Sequence, residues 1–166
     1  MSTTEAALLD SLNVPLPDHV VALARDVTDA LPETVRRRHR HTLVVKRLAD
    51  ADVRAVRDVL AEAPACEARI AGLDSFETDT GPVVYLAVES PGLVALHERL
   101  CAVVDPIDGI EGADYVPHVT VGRGGNPDEV ADFLARDVPS VEWTVDALTG
   151  WNATYRERVD RFPLGR

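Results

Sequence analysis

The chain has 166 residues, 46% of them hydrophobic and 27% charged, which suits one domain spanning 1–166 with its own apolar core and no disulfide framework. Its 28 acidic and 17 basic residues give a formal net charge of −11, a field that repels polynucleotides and disfavours an extended nucleic-acid footprint unless molar salt screens it, while leaving room for a small or terminal phosphate held by a few local arginines. No apolar run reaches the ~20 residues of a membrane span and the first ten residues lack the basic start of a signal peptide, so a cytoplasmic protein with no membrane partner is expected.

The elements follow in order. A short strand over 12–16 stops at Pro17, and Asp18 caps a helix over 18–30. A basic approach runs into an apolar strand over 36–48. Asp50 or Asp52 opens a helix over 53–63, closed by Pro64. A strand over 68–76 and a turn over 78–82 lead to 83–88, which is apolar throughout and therefore central in its sheet. Ser90-Pro91 caps a helix over 92–104. An Asp- and Gly-rich loop over 105–114 precedes a strand beginning at His118, and Asn126-Pro127 starts a helix to 136. A strand over 141–148 and a closing strand or hairpin over 151–162 complete the chain.

Strand, helix, His-bearing strand, helix occurs twice. Such a duplication predicts two sheets about a pseudo-twofold axis, with one histidine from each lobe meeting in a cleft. Lys46 is the only lysine, and this acidic, arginine-using surface has the composition of proteins from salt-loving organisms. Cys66 and Cys101 lack any paired metal-ligand spacing and read as small buried hydrophobes.

Chemistry concentrates in Tyr115-Val116-Pro117-His118-Val119-Thr120-Val121-Gly122-Arg123. Alternation puts Val119 and Val121 on a core face, and on the other face His118, Thr120 and Gly122, the glycine allowing a ligand close to the backbone. An imidazole moves a proton near neutrality, and a neighbouring hydroxyl donates to an oxyanion. Taken alone, a His-x-Thr pair on a strand is more often a histidine at a sheet surface.

Pro117-His118-Val119-Thr120-Val121-Gly122-Arg123 matches the second motif of the two-histidine phosphoesterases, and the chain resembles most their RNA 2′,3′-cyclic phosphodiesterase branch, historically the 2′-5′ RNA ligases. The resemblance spans Leu12 to Leu164 and includes Phe76, the helix with Leu96-His97-Glu98-Arg99-Leu100, Tyr155 and Phe162. It implies an α+β, bilobal fold with two antiparallel-rich sheets and helices outside. It further implies hydrolysis of a 2′,3′-cyclic phosphate, on an RNA end or small nucleotide, to a 2′-phosphomonoester, by a monomer without cofactor or metal.

The first motif departs from His-x-Thr. His41-Thr42-Leu43 has leucine where the hydroxyl belongs, and His39-Arg40-His41 has a second histidine there. His41 is preferred because it leads directly into the apolar run, with His39 the fallback, and Thr42 then needs a bulge or a one-residue shift to reach a phosphate. By that resemblance the catalytic set is His41, His118, Thr120 and Thr42, one histidine taking a proton from water and the other giving one to the ribose oxygen. Arg123, Arg40, His39 and Tyr115 would hold the substrate. Arg36-Arg37-Arg38 with Arg40 reads first as a solvated, acid-paired run and second as a phosphate guide. Tyr85, Tyr115 and Trp151 read first as core or rim packing and second as candidates to stack a base. His19 and His97 read as surface histidines. Two alternatives stand beside hydrolysis: a non-catalytic phosphate or RNA-end binding module with a degenerate first motif, and a metal site of His39, His41 and His118.

Overall fold

The computed structural model describes residues 9–49, 51, 53–152 and 157–165. In chain order the elements are β1 (Ser11–Val14), α1 (Asp18–Ala30), β2 (Arg36–Arg37), β3 (Leu43–Arg47), α2 (Val53–Glu62), β4 (Cys66–Thr78), β5 (Gly81–Glu89), α3 (Pro91–Cys101), a 3₁₀ turn (Gly112–Asp114), β6 (His118–Arg123), α4 (Pro127–Leu134), β7 (Glu142–Val145), β8 (Ala147–Asn152) and β9 (Glu157–Pro163).

Two antiparallel sheets result, one ordered β3-β1-β8-β9 and the other β2-β6-β5-β4-β7. The all-apolar β5 is the middle strand of five, as its composition requires. One contiguous apolar cluster draws on both sheets, with Leu12, Val45 and Leu148 from the first and Ile70, Leu86, Val119 and Val121 from the second. The duplication takes concrete form: β1-α1-β3 and β5-α3-β6 are each a pair of neighbouring antiparallel strands joined through a helix.

Local chemistry sets the helix starts. Ser90 Oγ accepts from the Leu93 N–H, and Asn126 Oδ1 accepts from the N–H groups of Asp128 and Glu129, each just before a proline at the first helical turn. Asp18 is not the cap of α1. Pro17 stands there with no side-chain hydrogen bond, its fixed φ of −68° leading into the helix, and Asp18 places its charge in the first turn. The residues proposed to open α2, Asp50 and Asp52, lie outside the described residues, as does Tyr155.

Two single-strand expectations fail in the same way. The 36–48 stretch is two strands in different sheets, β2 pairing with β6 and β3 with β1, so residues 38–42 form a crossing between lobes. The 141–148 stretch also divides, β7 pairing with β4 and β8 with β1, with the change of sheet at Asp146. Alternation of exposed and buried residues runs unbroken from Glu142 to Ala147 across the second crossing, while the first lies inside an unbroken polar run over 36–42, so neither marks its change of sheet. Cys66 and Cys101 are half-buried rather than buried.

Candidate functional site

β6 is anchored between β2 and β5, and its alternation behaves as the sequence requires: Val119 and Val121 are fully buried while His118 and Thr120 stay partly open. Gly122 has a different reason from the one expected. A Cβ there would lie 2.6 Å from Val35 and 2.9 Å from Leu31, so the glycine admits the end of α1 and the turn after it.

His118 and Thr120 line a cavity of about 260 Å³ whose wall also includes Thr42, Val44, Arg38, Arg47, Arg123, Phe76, Glu111 and Tyr115. Thr42 comes from the crossing segment and Val44 from β3, so both lobes contribute. Thr42 faces the cavity from just before β3 while Leu43 is fully buried, and Val44, Val45 and Arg47 follow on the same wall, the β1–β3 register being irregular between Val44 and Lys46.

His41 lies outside this cavity. Its Nε2 lies 2.8 Å from the Thr28 hydroxyl, and that hydroxyl donates to the Ala24 carbonyl at 2.7 Å, so the imidazole nitrogen must be the donor in the pair. His41 lines a second cavity, with Arg40 and Trp151, that meets the first only at Thr42. His39 is exposed and lines neither. The sequence-nominated residues therefore separate: His118, Thr120, Thr42, Arg123 and Tyr115 share one cavity, while Arg40 and His41 border the next. Among the described residues no group of three His, Cys, Asp or Glu side chains is placed to hold a metal ion.

His118 is the only imidazole on the wall of the smaller cavity. Its Nδ1 is 2.7 Å from the Val116 carbonyl and donates to it, which leaves Nε2 carrying the lone pair of the neutral ring. Tyr85 and Phe76 hold the ring, with centroids at 5.1 and 5.8 Å. Burial, then the positive charges of Arg47 and Arg38, push its pKa below the ordinary imidazole value against the opposing pull of the Val116 carbonyl. His41 is also lowered, first by burial, with the Arg38 carbonyl opposing and nearby cations assisting.

Arg38, Arg47 and Arg123 were not recognised as a set. All three line the cavity, and no carboxylate pairs with any of them among the described residues. Burial, then Arg123 and Arg47, hold the Arg38 guanidinium below its usual range, as expected when like charges converge. In a chain with eleven surplus negative charges, unpaired cations around a histidine mark a place for an anion.

The far wall is the 105–115 loop, fastened by side chains that sequence reading missed. Lys46, fully buried, is 2.5 Å from Glu111 Oε1 and also donates to the carbonyls of Arg47 and Asp105. Glu111 further accepts from the N–H groups of Arg47 and Ile107. Burial alone would raise this carboxyl, but Lys46 and the two N–H donors outweigh it and hold it below its ordinary value. His97 is fully buried rather than at the surface. Its Nδ1 donates to the Val45 carbonyl at 2.7 Å, its Nε2 accepts from the Gly112 N–H at 2.9 Å, and its ring stacks on Tyr115 at 3.9 Å. Tyr115 in turn donates to the Val44 carbonyl at 3.0 Å, so its ring is committed to the wall.

The sequence model of the 2′-5′ RNA ligase superfamily matches residues 39–154, well over half the chain and inclusive of both lobes. The chain belongs to the 2′-5′ RNA ligase superfamily. A Bacillus pumilus protein named "Putative phosphoesterase" is 36% identical over 83 residues, which is 49% of this chain and 41% of that protein, so the match spans less than half of the relative's length. Among solved structures, TT0787 of Thermus thermophilus superposes with a TM-score of 0.65 at 22% identity, covering 94% of this chain and 98% of that one. Escherichia coli LigT, crystallised with 3′-AMP, gives 0.63 at 18% identity, covering 96% and 98%. At these identities the likeness shows the fold: the bilobal, two-sheet arrangement of this superfamily.

Proposed function

We propose that this superfamily member hydrolyses a 2′,3′-cyclic phosphate, on an RNA end or a small nucleotide, to a 2′-phosphomonoester, with His118 as the proton-transfer group. The single observation that carries the reading is the meeting of His118, Thr120 and Thr42 with three unpaired guanidiniums in one cavity. Arg38, Arg47 and Arg123 neutralise the ester, and the two threonine hydroxyls donate to its non-bridging oxygens. A water oxygen bonds to phosphorus as the bond from phosphorus to the 3′ oxygen breaks. Protonated His118 gives its Nε2 proton to that oxygen, and the proton shed by the water restores the ring. An anion among the arginines raises the His118 pKa by offsetting their repulsion, which makes the protonated form available when substrate is bound.

The cyclic phosphodiesterase reading is tested with 2′,3′-cyclic AMP, in dilute and molar salt, with and without chelator. Formation of 2′-AMP that survives the chelator is the expected result, while chelator-sensitive turnover, or 3′-AMP as product, refutes it. A second reading, a phosphate-binding module without turnover, is favoured by the bond of His41 to Thr28 outside the cavity. It predicts binding of 2′,3′-cyclic AMP without product, and binding that survives His41→Ala better than Arg123→Ala.

A further inference from the structure

The tautomer of His118 hangs on one acceptor, the Val116 carbonyl at 2.7 Å from Nδ1. β6 begins at His118, so Val116 precedes the strand, and it is 49% exposed, so no packing of its own side chain fixes that carbonyl. The fixed point is the residue before it. Tyr115 is held at two places: its hydroxyl donates to the Val44 carbonyl at 3.0 Å, and its ring lies within 11° of parallel to that of His97, with centroids 3.9 Å apart. Burial, then the charge of Glu111, push the Tyr115 hydroxyl well above its ordinary value, so it stays a donor. His97 is fully buried and does not line the phosphate cavity, and both its ring nitrogens are engaged, Nδ1 with the Val45 carbonyl and Nε2 with the Gly112 N–H. Tyr115 and His97 therefore hang from consecutive carbonyls of β3, and the residue next to Tyr115 supplies the acceptor for His118.

We propose that His97 and Tyr115 are positioning residues that, through the Val116 carbonyl, keep His118 in the form with its proton on Nδ1 and its Nε2 lone pair free. By this relay β3 of the first lobe acts on an imidazole carried by the second. Without the stack, Val116 is tied only through the chain, and His118 exchanges Nδ1–H for Nε2–H, a form that cannot take a proton at Nε2. The effect on rate rests on the proposed hydrolysis, whereas the form of the ring can be read without turnover.

Nitrogen-15 ring spectra at about pH 8, above the ordinary imidazole value, read the tautomer directly, with the His118 signals identified by their loss in His118→Gln. The native chain should show His118 as a single Nδ1–H form. His97→Gln keeps an amide donor for the Val45 carbonyl and an oxygen acceptor for the Gly112 N–H but has no ring to stack. It should give a mixture of both His118 forms and lower kcat for 2′,3′-cyclic AMP about ten- to a hundredfold, the cost of a misplaced reacting group, with KM unchanged. Tyr115→Phe, which keeps the stack and loses the tie to Val44, should move both readings the same way by less, and it decides the matter where His97→Gln does not fold. An Nε2–H ring in the native chain overturns the proposal, as does a single Nδ1–H ring in His97→Gln, or in Tyr115→Phe should that variant alone fold. A mixed ring with full kcat also overturns it, since the form of His118 would then not matter to the reaction. A native Nδ1–H ring that becomes mixed in His97→Gln, in a chain that never converts 2′,3′-cyclic AMP, retains the relay and removes the phosphodiesterase reading.

Discussion

The entry to β6 and the entry to β3 are the same device in two lobes, and they differ in what stands before the threonine. In β6 the strand starts at His118, so the imidazole stands two residues before the inward-facing Thr120. In the first lobe Thr42 faces the same cavity, and two residues before it stands Arg40, with histidines on either side. Arg40, His41 and Thr42 all border the neighbouring cavity across a bend at Arg40, so the first-lobe entry does not keep strand alternation, and the imidazole that the second lobe presents two residues before Thr120 has no counterpart on the wall that Thr42 shares.

The largest effect should separate the two histidines. His118→Ala removes the only imidazole of the cavity and should lower kcat/KM for 2′,3′-cyclic AMP by about 10²–10⁴-fold, the usual worth of acid and base catalysis. His41→Ala should cost far less and act mainly on KM. Equal losses in the two variants would show that His41 reaches the phosphate after all.

The next prediction concerns the wall that both strand entries face. Lys46→Met leaves Glu111 buried without its cation and should destabilise the fold by about 3–5 kcal/mol in urea unfolding. Recovery in the double variant Lys46→Met/Glu111→Leu would assign the loss to the stranded carboxylate rather than to packing.

The smallest effect is in pH. His41 and His118 both have folded-state pKa values below the ordinary 6.5, so the folded chain binds fewer protons than the unfolded chain in that region. Their contribution to stability is complete above about 6.5 and falls away as pH drops through the folded values. The urea midpoint should decline on acidification from neutrality, and His118→Phe should flatten that decline. A steeper slope in His118→Phe would reverse the assigned direction.

The sequence by itself carried the local elements and the second motif. Caps at Ser90 and Asn126, the apolar β5 and the His118 to Arg123 alternation are decided by neighbours along the chain, so their physics is written in consecutive residues. The two sheet crossings, the burial of Lys46 and His97, and the gathering of Arg38, Arg47 and Arg123 were set by contacts between residues far apart in sequence, which leave no periodic trace. Tertiary structure also decided that Thr42, and none of His39, Arg40 and His41, reaches the cavity of His118, because the path of the crossing segment is fixed by what β2 and β3 pair with in their separate sheets.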